Sequence, residues 1–526
     1  MKRTVVAVAI VVPVVVAGAA TAALTAWPAA RLGDPGDGLA RVILPGFAGT
    51  VSVEVSTSDG ARVPVTLRSG TIWPARRLPQ GRRVSVQVRV RRPGWAGWLV
   101  GRSDVRTFTI VTPSAHVAGR WLAPPQDRPV TVRFDRRVSV VSLGDGPRRQ
   151  LALPRKIVPV GLVAHGSHTS GTIQVAAAAR PWERLGAPVR VTWFVARPHP
   201  QVLVAPRADA AITPRTWLTL TFSRPVSDAF GRLRPKLSPA TPGRWVLRDA
   251  HTLVFRPRGF GYGLGSVVRV TLPQPALLAG ESRTKPTRFL RWRVPAGSML
   301  RLQQLLAQLG YLPVGWHEAS DPAPSLSEEL AAAVSPPSGI FAWRYPHTPA
   351  ELRALWQPGR LDEITRAAIM SFEETHDLPV DGLPGPLIWR ALLADALAGR
   401  RHPGGYSYVF VHTSVPQTLN LWHDGRVIVR SPGNTGIPAA PTALGTWPVF
   451  EHIPVGTMSG TNPDGTHYND PGIQYISYFH GGDAIHAFNR ASFGTPQSLG
   501  CVELPLSAAA VVWPYTPIGT LVTIES

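Results

Sequence analysis

Thiols are almost absent from this chain: Cys501 is the only cysteine among 526 residues. A single cysteine excludes an intramolecular disulfide, so the fold is not a disulfide-stapled scaffold and the thiol is either incidental or chemical. Lysine is scarce too. Four lysines stand beside 51 arginines, and 55 basic residues outnumber 32 acidic ones for a net charge of +23. Basic residues are short in one part only: residues 406–526 carry three arginines against seven carboxylates, net −4, leaving +27 on residues 1–405. Such a basic stalk would adhere to anionic wall polymers or lipid head groups, although an arginine-rich composition accounts for it equally. Charge is missing altogether from Val5 to Trp27, directly after Lys2 and Arg3. Residues 1–27 therefore read as a secretory signal, with Ala20-Thr21-Ala22 as a small-residue cleavage site, or as a retained membrane anchor. No cysteine lies near this stretch, which excludes a lipid anchor on cysteine. Export, membrane-anchored or secreted, makes nucleic acid a poor partner.

Proline and glycine are plentiful instead, at 54 and 49 residues, in a chain that is 44% apolar. That balance favours a folded protein with many turns between short strands, and the length predicts three or more domains. Residues 28 to about 296 read as all-β. Alternation is plain in VSVEVSTS (51–58) and RRVSVQVRVRR (82–92). A weak repeat aligns PVTVRFDRRVSVV (129–141) with WLTLTFSRPVSDA (217–229), setting Phe134 over Phe222, 88 residues apart. This period suits one immunoglobulin-like β-sandwich per copy, and GRWVLRDAHTLVFRPRGF reads as a hairpin completing the second. Two or three such modules are expected, at 28–115, 116–197 and 198–296, as spacers that display no chemistry.

At Gly297 the period changes. SMLRLQQLLAQLGYL places Leu302, Leu305, Leu306 and Leu309 on one helical face, and Gly310 stops the helix. After a Pro/Ser-rich insertion at about 313–358, Ile364, Ala367, Ala368 and Phe372 form a second stripe. Asp381-Gly382 marks a turn, and Trp389, Leu392 and Leu393 begin a third helix. The pattern L-Q-x-x-L-x-x-L-G-Y-L, T-R-x-A-I-x-x-F-E, L-x-V-D-G and W-x-x-L resembles the three-helix peptidoglycan-binding domain found beside bacterial wall enzymes. The resemblance covers roughly 60 residues within 297–398, and the insertion departs from it.

From Tyr406 strands return, with a hairpin around His423-Asp424-Gly425 and a helix end, turn and final strand in VVWPYTPIGTLVTI. Between them runs HAFNRASFGTPQSLGCVEL (486–504). A thiolate is the nucleophilic form of cysteine, and a free thiol needs a neighbouring base to reach it at neutral pH. His486 is the natural base, because DAIHAF reads as a strand on which its ring faces away from Ile485 and Ala487. The loop NRASFGTPQS would bring the two together. Ser498-Leu499-Gly500-Cys501 offers backbone N–H groups for an oxyanion, with glycine permitting close approach. Base, nucleophile and oxyanion turn suggest a cysteine acyl-transfer site; a small buried structural cysteine is the other reading.

The segment also resembles the L,D-transpeptidase catalytic domain, which carries a histidine, a variable loop, then Ser/Thr-His-Gly-Cys before an apolar residue. Here these are His486 and Ser498-Leu499-Gly500-Cys501-Val502, with GNTGIPAAPTALGTWPV (433–449), YISYFHGGDAIHAF (475–488) and IGTLVTI (518–524) as supporting stretches. Two positions depart: Leu499 replaces the usual histidine, and Glu503 stands where asparagine or arginine is frequent. Over 406–526 the resemblance implies a β-rich catalytic domain and a transfer on peptidoglycan stem peptides without a cofactor. Cys501 would attack the carbonyl between a diaminopimelate-type residue and D-alanine, release D-alanine, and pass the acyl group to an amine of a neighbouring stem. His486 would move the proton, its other ring nitrogen held by a backbone carbonyl such as that of Ala487. Ser498, Leu499 and Gly500 would shape the turn, and the Gly500 and Cys501 N–H groups would hold the oxyanion. Tyr475 and Tyr478 would line the substrate groove or serve the core, and His480 would stand in for the missing imidazole.

The expected fold is thus multidomain and mainly β: an N-terminal segment, two or three sandwiches, a small helical domain and a catalytic domain. Competing functions are a wall-binding scaffold with a degenerate transferase domain, an L,D-carboxypeptidase using water as acceptor, and a zinc hydrolase built on His480 and His486. No His-Glu-x-x-His run or other clear ligand cluster supports the last, so no metal is expected.

Overall fold

A computed structural model describes residues 29–44, 50–94, 97, 101–165, 168–280, 285–319 and 325–526. The expected signal or anchor at 1–27 lies outside these residues. No helix among the described residues is long and apolar enough to cross a membrane. The protein is mainly β, 44% strand against 14% helix.

The chain forms two compact units. One takes the residues up to Leu203 with Thr221–Pro225 and Ala276–Pro286; the other takes Val204–Leu220, Val226–Pro275 and Thr287–Ser526. In the first, two four-stranded sheets share one core, with Val42 and Ile72 from one sheet meeting Val55, Val86 and Val88 from the other. The strand Arg83–Arg91 shows why: its valines are buried and its arginines, serine and glutamine point outward, the period-2 pattern of a half-buried strand. A five-stranded sheet follows, built on two 15-residue strands, Pro129–Leu143 and Arg149–Val163, whose pairing shifts register and bends around Phe134.

In the second unit the hairpin Gly243–Asp249/Thr252–Pro257 forms as the sequence suggested. The three long helices are α1 (Met299–Leu309), α2 (Glu363–Thr375) and α3 (Pro386–Ala398). Leu302, Leu305, Leu306, Ile364, Phe372, Leu392 and Leu393 are all buried at their contacts. Gly310 ends α1 in the left-handed region at φ 93°. The described residues of the stretch expected as an insertion hold the hairpin Val314–Glu318/Gly339–Trp343 and two short helices, Leu326–Ala332 and Ala350–Ala354. It is tied to α1 by a buried ion pair, Arg301 Nη2 to Glu329 Oε2 at 2.9 Å.

The remaining strands, numbered from Tyr406 onward, are β1 (Ser407–His412), β2 (Thr418–His423), β3 (Arg426–Pro432), β4 (Gly445–Pro448), β5 (Glu451–Thr461), β6 (His467–His480), β7 (Asp483–Ala487), β8 (Val502–Leu504) and β9 (Leu521–Glu525). They form a five-stranded sheet, β3-β2-β1-β9-β4, and a four-stranded sheet, β5-β6-β7-β8. Val409, Val411, Leu419 and Leu421 of the first pack with Phe479, Ile485, Ala487, Val502 and Leu504 of the second, together with Ala509 and Val512 of the helix Leu506–Val512. Gly519 fits beside α2 because a Cβ there would strike the Ala367 carbonyl and Ser371, so the helical segment packs directly on this sandwich.

Candidate active site

Strands β7 and β8 run parallel, with Ile485 opposite Val502, His486 opposite Glu503 and Ala487 opposite Leu504. Side chains alternate along each strand, so Ile485, Ala487, Val502 and Leu504 face the inter-sheet core. Ala484, His486, Cys501 and Glu503 therefore project from the other face. There Cys501 joins a separate apolar cluster of Met458, Ile473, Ile476 and Ala484, flanked by Ile453, Tyr468, Tyr478 and Phe488. The histidine and the thiol thus leave the same face of neighbouring strands.

The His486 ring is buried, and its Nδ1 donates to the Ala487 carbonyl at 3.0 Å. That bond fixes the tautomer and leaves Nε2 as an acceptor. Burial lowers the imidazole's proton affinity, against the opposing pull of the Ala487 carbonyl and Glu503, so the ring is neutral at neutral pH. Burial likewise pushes the Cys501 thiol up to about 12, aided by the Asp483 and Glu503 charges and opposed by the Ala484 N–H. The thiol donates to the Gly482 carbonyl at 3.7 Å. Imidazole and thiol are thus both neutral at rest, rather than imidazolium and thiolate. Iodoacetamide alkylation of Cys501 should therefore keep rising roughly tenfold per pH unit through pH 8–10, where a free thiol levels off near its pKa of about 8.5. A plateau below pH 8 would mean an ion-paired thiolate.

The turn before Cys501 is held on three sides. Ser498 Oγ donates to the Cys501 carbonyl at 2.5 Å, and its backbone pairs with the segment Thr435–Ile437 through Ser498 N to Thr435 O (3.1 Å) and Ile437 N to Ser498 O (2.9 Å). Gly500 sits at φ 116°, and a Cβ on it would collide with the Asp483 carboxylate. Among the described residues, nothing accepts from the Gly500 or Cys501 N–H. Leu499, at the departing position, is partly exposed and offers no side-chain hydrogen bond.

Glu503, the other departing residue, is buried and meets Arg490 in a two-pronged ion pair: Nε to Oε2 at 2.8 Å and Nη2 to Oε1 at 2.6 Å. Arg490 also donates to the Gln497 carbonyl at 3.2 Å and lies 4.6 Å over the Phe488 ring, which meets His486 edge-on at 5.9 Å. Buried Asn434 holds the same loop, accepting from Gly494 N at 2.9 Å.

The two tyrosines proposed for the groove part company. Tyr478 pairs with Ala484 on the thiol face and packs against the same apolar cluster as Cys501. Tyr475, at φ 62°, lies on the other face against Trp513. His480 meets the Trp447 ring at a tilt of 42°, centroids 4.4 Å apart, with Nδ1 3.6 Å from Asp483 Oδ2. Asp483, which also accepts from Ala443 N at 3.2 Å, escaped notice in the sequence, as did Tyr468. Alternation along DAIHAF assigns Asp483 to the core face, and only its place at the strand end lets it swing to the turn. Among the described residues, no group of three or more His, Cys, Asp or Glu side chains is arranged to hold a metal ion.

Several solved structures are similar. An L,D-transpeptidase from Mycobacterium smegmatis matches at 13% identity over 62% of this chain and 99% of its own, with a TM-score of 0.21. L,D-transpeptidase 3 from Mycobacterium tuberculosis, in complex with a faropenem-derived adduct, matches at 12% over 61% and 97%, TM-score 0.22. The catalytic domain of the E. faecium L,D-transpeptidase matches at 26% over 22% and 95%, TM-score 0.21. No curated relative matches the chain. Residues 353–392 match the family model of a peptidoglycan binding domain, and residues 406–524, which hold the thiol, the imidazole and both sheets around them, match that of the L,D-transpeptidase catalytic domain.

Proposed function

We propose that the C-terminal domain is a cysteine acyltransferase acting on peptidoglycan stem peptides, an L,D-transpeptidase. The observation that carries this reading is the anchored His486 imidazole, with Nε2 free, on the same sheet face as Cys501. In the first step Nε2 takes the thiol proton as sulfur attacks the carbonyl preceding a terminal D-alanine. The free N–H groups of Gly500 and Cys501 receive the oxyanion. Collapse of that intermediate expels D-alanine, whose amine takes the proton back from His486, and leaves a thioester on Cys501. An amine of a neighbouring stem then attacks the thioester. Its proton passes to His486 and on to the departing sulfur, which closes the cycle. The neutral resting pair suits this sequence, because the proton moves only when a carbonyl is present to receive the sulfur.

The helical segment 297–398 would bring the enzyme to the glycan, and the β modules at 28–115, 116–197 and 198–296 would act as spacers from a membrane-anchored or processed N-terminus. The test is incubation of the protein with a disaccharide-tetrapeptide, with products read by mass spectrometry. A cross-linked dimer is expected, lost at least about 1,000-fold in Cys501→Ala and about 100-fold or more in His486→Gln. Tripeptide monomer alone would indicate a carboxypeptidase. No product from either the parent or Cys501→Ala would leave a wall-binding scaffold.

A further inference from the structure

The first β module carries a cavity with no part in the acyl-transfer chemistry. Strand Arg83–Arg91 lies between Val51–Thr57 and Ser103–Val111 and points Arg89 and Arg91 outward, with Ser52 opposite Arg89 and Ser103 opposite Arg91. Arg92 and Arg102 close one end, so that four guanidinium groups line a space of about 930 Å³. Arg92 is engaged by the Gly101 carbonyl at 3.2 Å and by Asp104 at 4.0 Å. Arg89, Arg91 and Arg102 have no carboxylate within 4.0 Å among the described residues. Arginine abundance alone does not explain this. A second arginine-lined cavity in the same unit, with Arg76, Arg77, Arg82 and Arg184 on its wall, also carries Asp59 there, whereas the lining of the first holds no acid.

Four guanidinium groups with a single carboxylate, Asp104, within 4.0 Å among the described residues repel one another unless an anion completes the site. Guanidinium forks bind phosphate oxygens in pairs, and the serine hydroxyls supply further donors. The sheet holds Arg89 and Arg91 6–7 Å apart on one face, about the spacing of successive i, i+2 side chains, so a repeated phosphate would be gripped at two points. We propose that this cavity binds phosphodiester groups, independently of the acyl-transfer site. Two sources share that chemistry: a soluble phosphodiester polymer and the phosphate of an anionic lipid.

The test uses the full chain in nonionic detergent, titrated with poly(glycerol phosphate) in one arm. In the other arm the micelles are doped with phosphatidylglycerol, with phosphatidylcholine as the blank. The variants are Arg89→Ser/Arg91→Ser and, removing the same charge from an exposed strand elsewhere, Arg149→Ser/Arg155→Ser. The expected result is saturable binding in at least one arm, weakened tenfold or more by the first pair and less than twofold by the second. The arm that responds names the source, and a response in both supports the shared phosphate chemistry. Equal weakening by both pairs, or no binding in either arm, would overturn the proposal. Cross-linking activity should be unchanged in Arg89→Ser/Arg91→Ser, so failure here and failure of the acyl-transfer reading are separately visible.

Discussion

Gly500→Ala should lower cross-linking at least about 100-fold, the usual scale for disturbing one oxyanion donor. Two independent features make the position intolerant. The backbone is at φ 116°, where L-residues are strained, and the added methyl would collide with the Asp483 carboxylate. Relieving that collision must displace either the carboxylate, which also accepts from Ala443 N, or the turn that presents the Gly500 and Cys501 N–H groups. Gly481→Ala is the matched control. It too has a positive φ, 52°, but open space around the missing Cβ, so its activity should stay within about twofold of the parent. Equal activity in both variants would show that the turn does not present the oxyanion donors.

Arg490→Ala should destabilise the protein by about 3–5 kcal/mol, because it strands a buried carboxylate. Glu503 is 3% exposed and sits between β7 and the loop joining histidine to cysteine, so its carboxylate depends on the guanidinium for both of its charge-assisted hydrogen bonds. Adding Glu503→Gln should recover most of the loss, since a neutral amide tolerates burial better than an unpaired charge. Thermal melts of the single and double variants read this directly. A single variant that melts like the parent would mean the ion pair contributes nothing. The same pair explains how the chain accommodates glutamate beside its imidazole: an arginine thirteen residues upstream supplies the positive charge.

Periodic elements were the most legible in the sequence. The leucines of α1, the valines of Arg83–Arg91 and the hairpin at Asp424-Gly425 form because their burial or turn geometry is local. The strand that carries His486 read correctly for the same reason: Ile485 and Ala487 enter the core and His486 leaves it. What escaped was set by tertiary contacts. The hairpin and short helices within 313–358 gave no periodic signal, because the strands are five residues long and the helices five and seven. Tyr475 and Tyr478 are an exception: an odd three residues apart on β6, they fall on opposite faces by simple alternation, which was legible in YISY. Asp483 and Arg490 carry no motif, since each acts through a partner brought close by folding. The thiol's high proton affinity was equally hidden, for it arises from the cluster formed by β5, β6 and β7 around it.

In the proposed reaction Cys501 carries the acyl group. The direct measurement is rapid acid quenching of the protein during turnover of a disaccharide-tetrapeptide, followed by peptide mapping of the adduct. The expected adduct is the substrate minus D-alanine bound to the peptide containing Cys501, released by hydroxylamine as a thioester, and absent from Cys501→Ala. Cross-linked product formed at the parental rate by Cys501→Ala, with no adduct on that peptide, would contradict the proposed reaction.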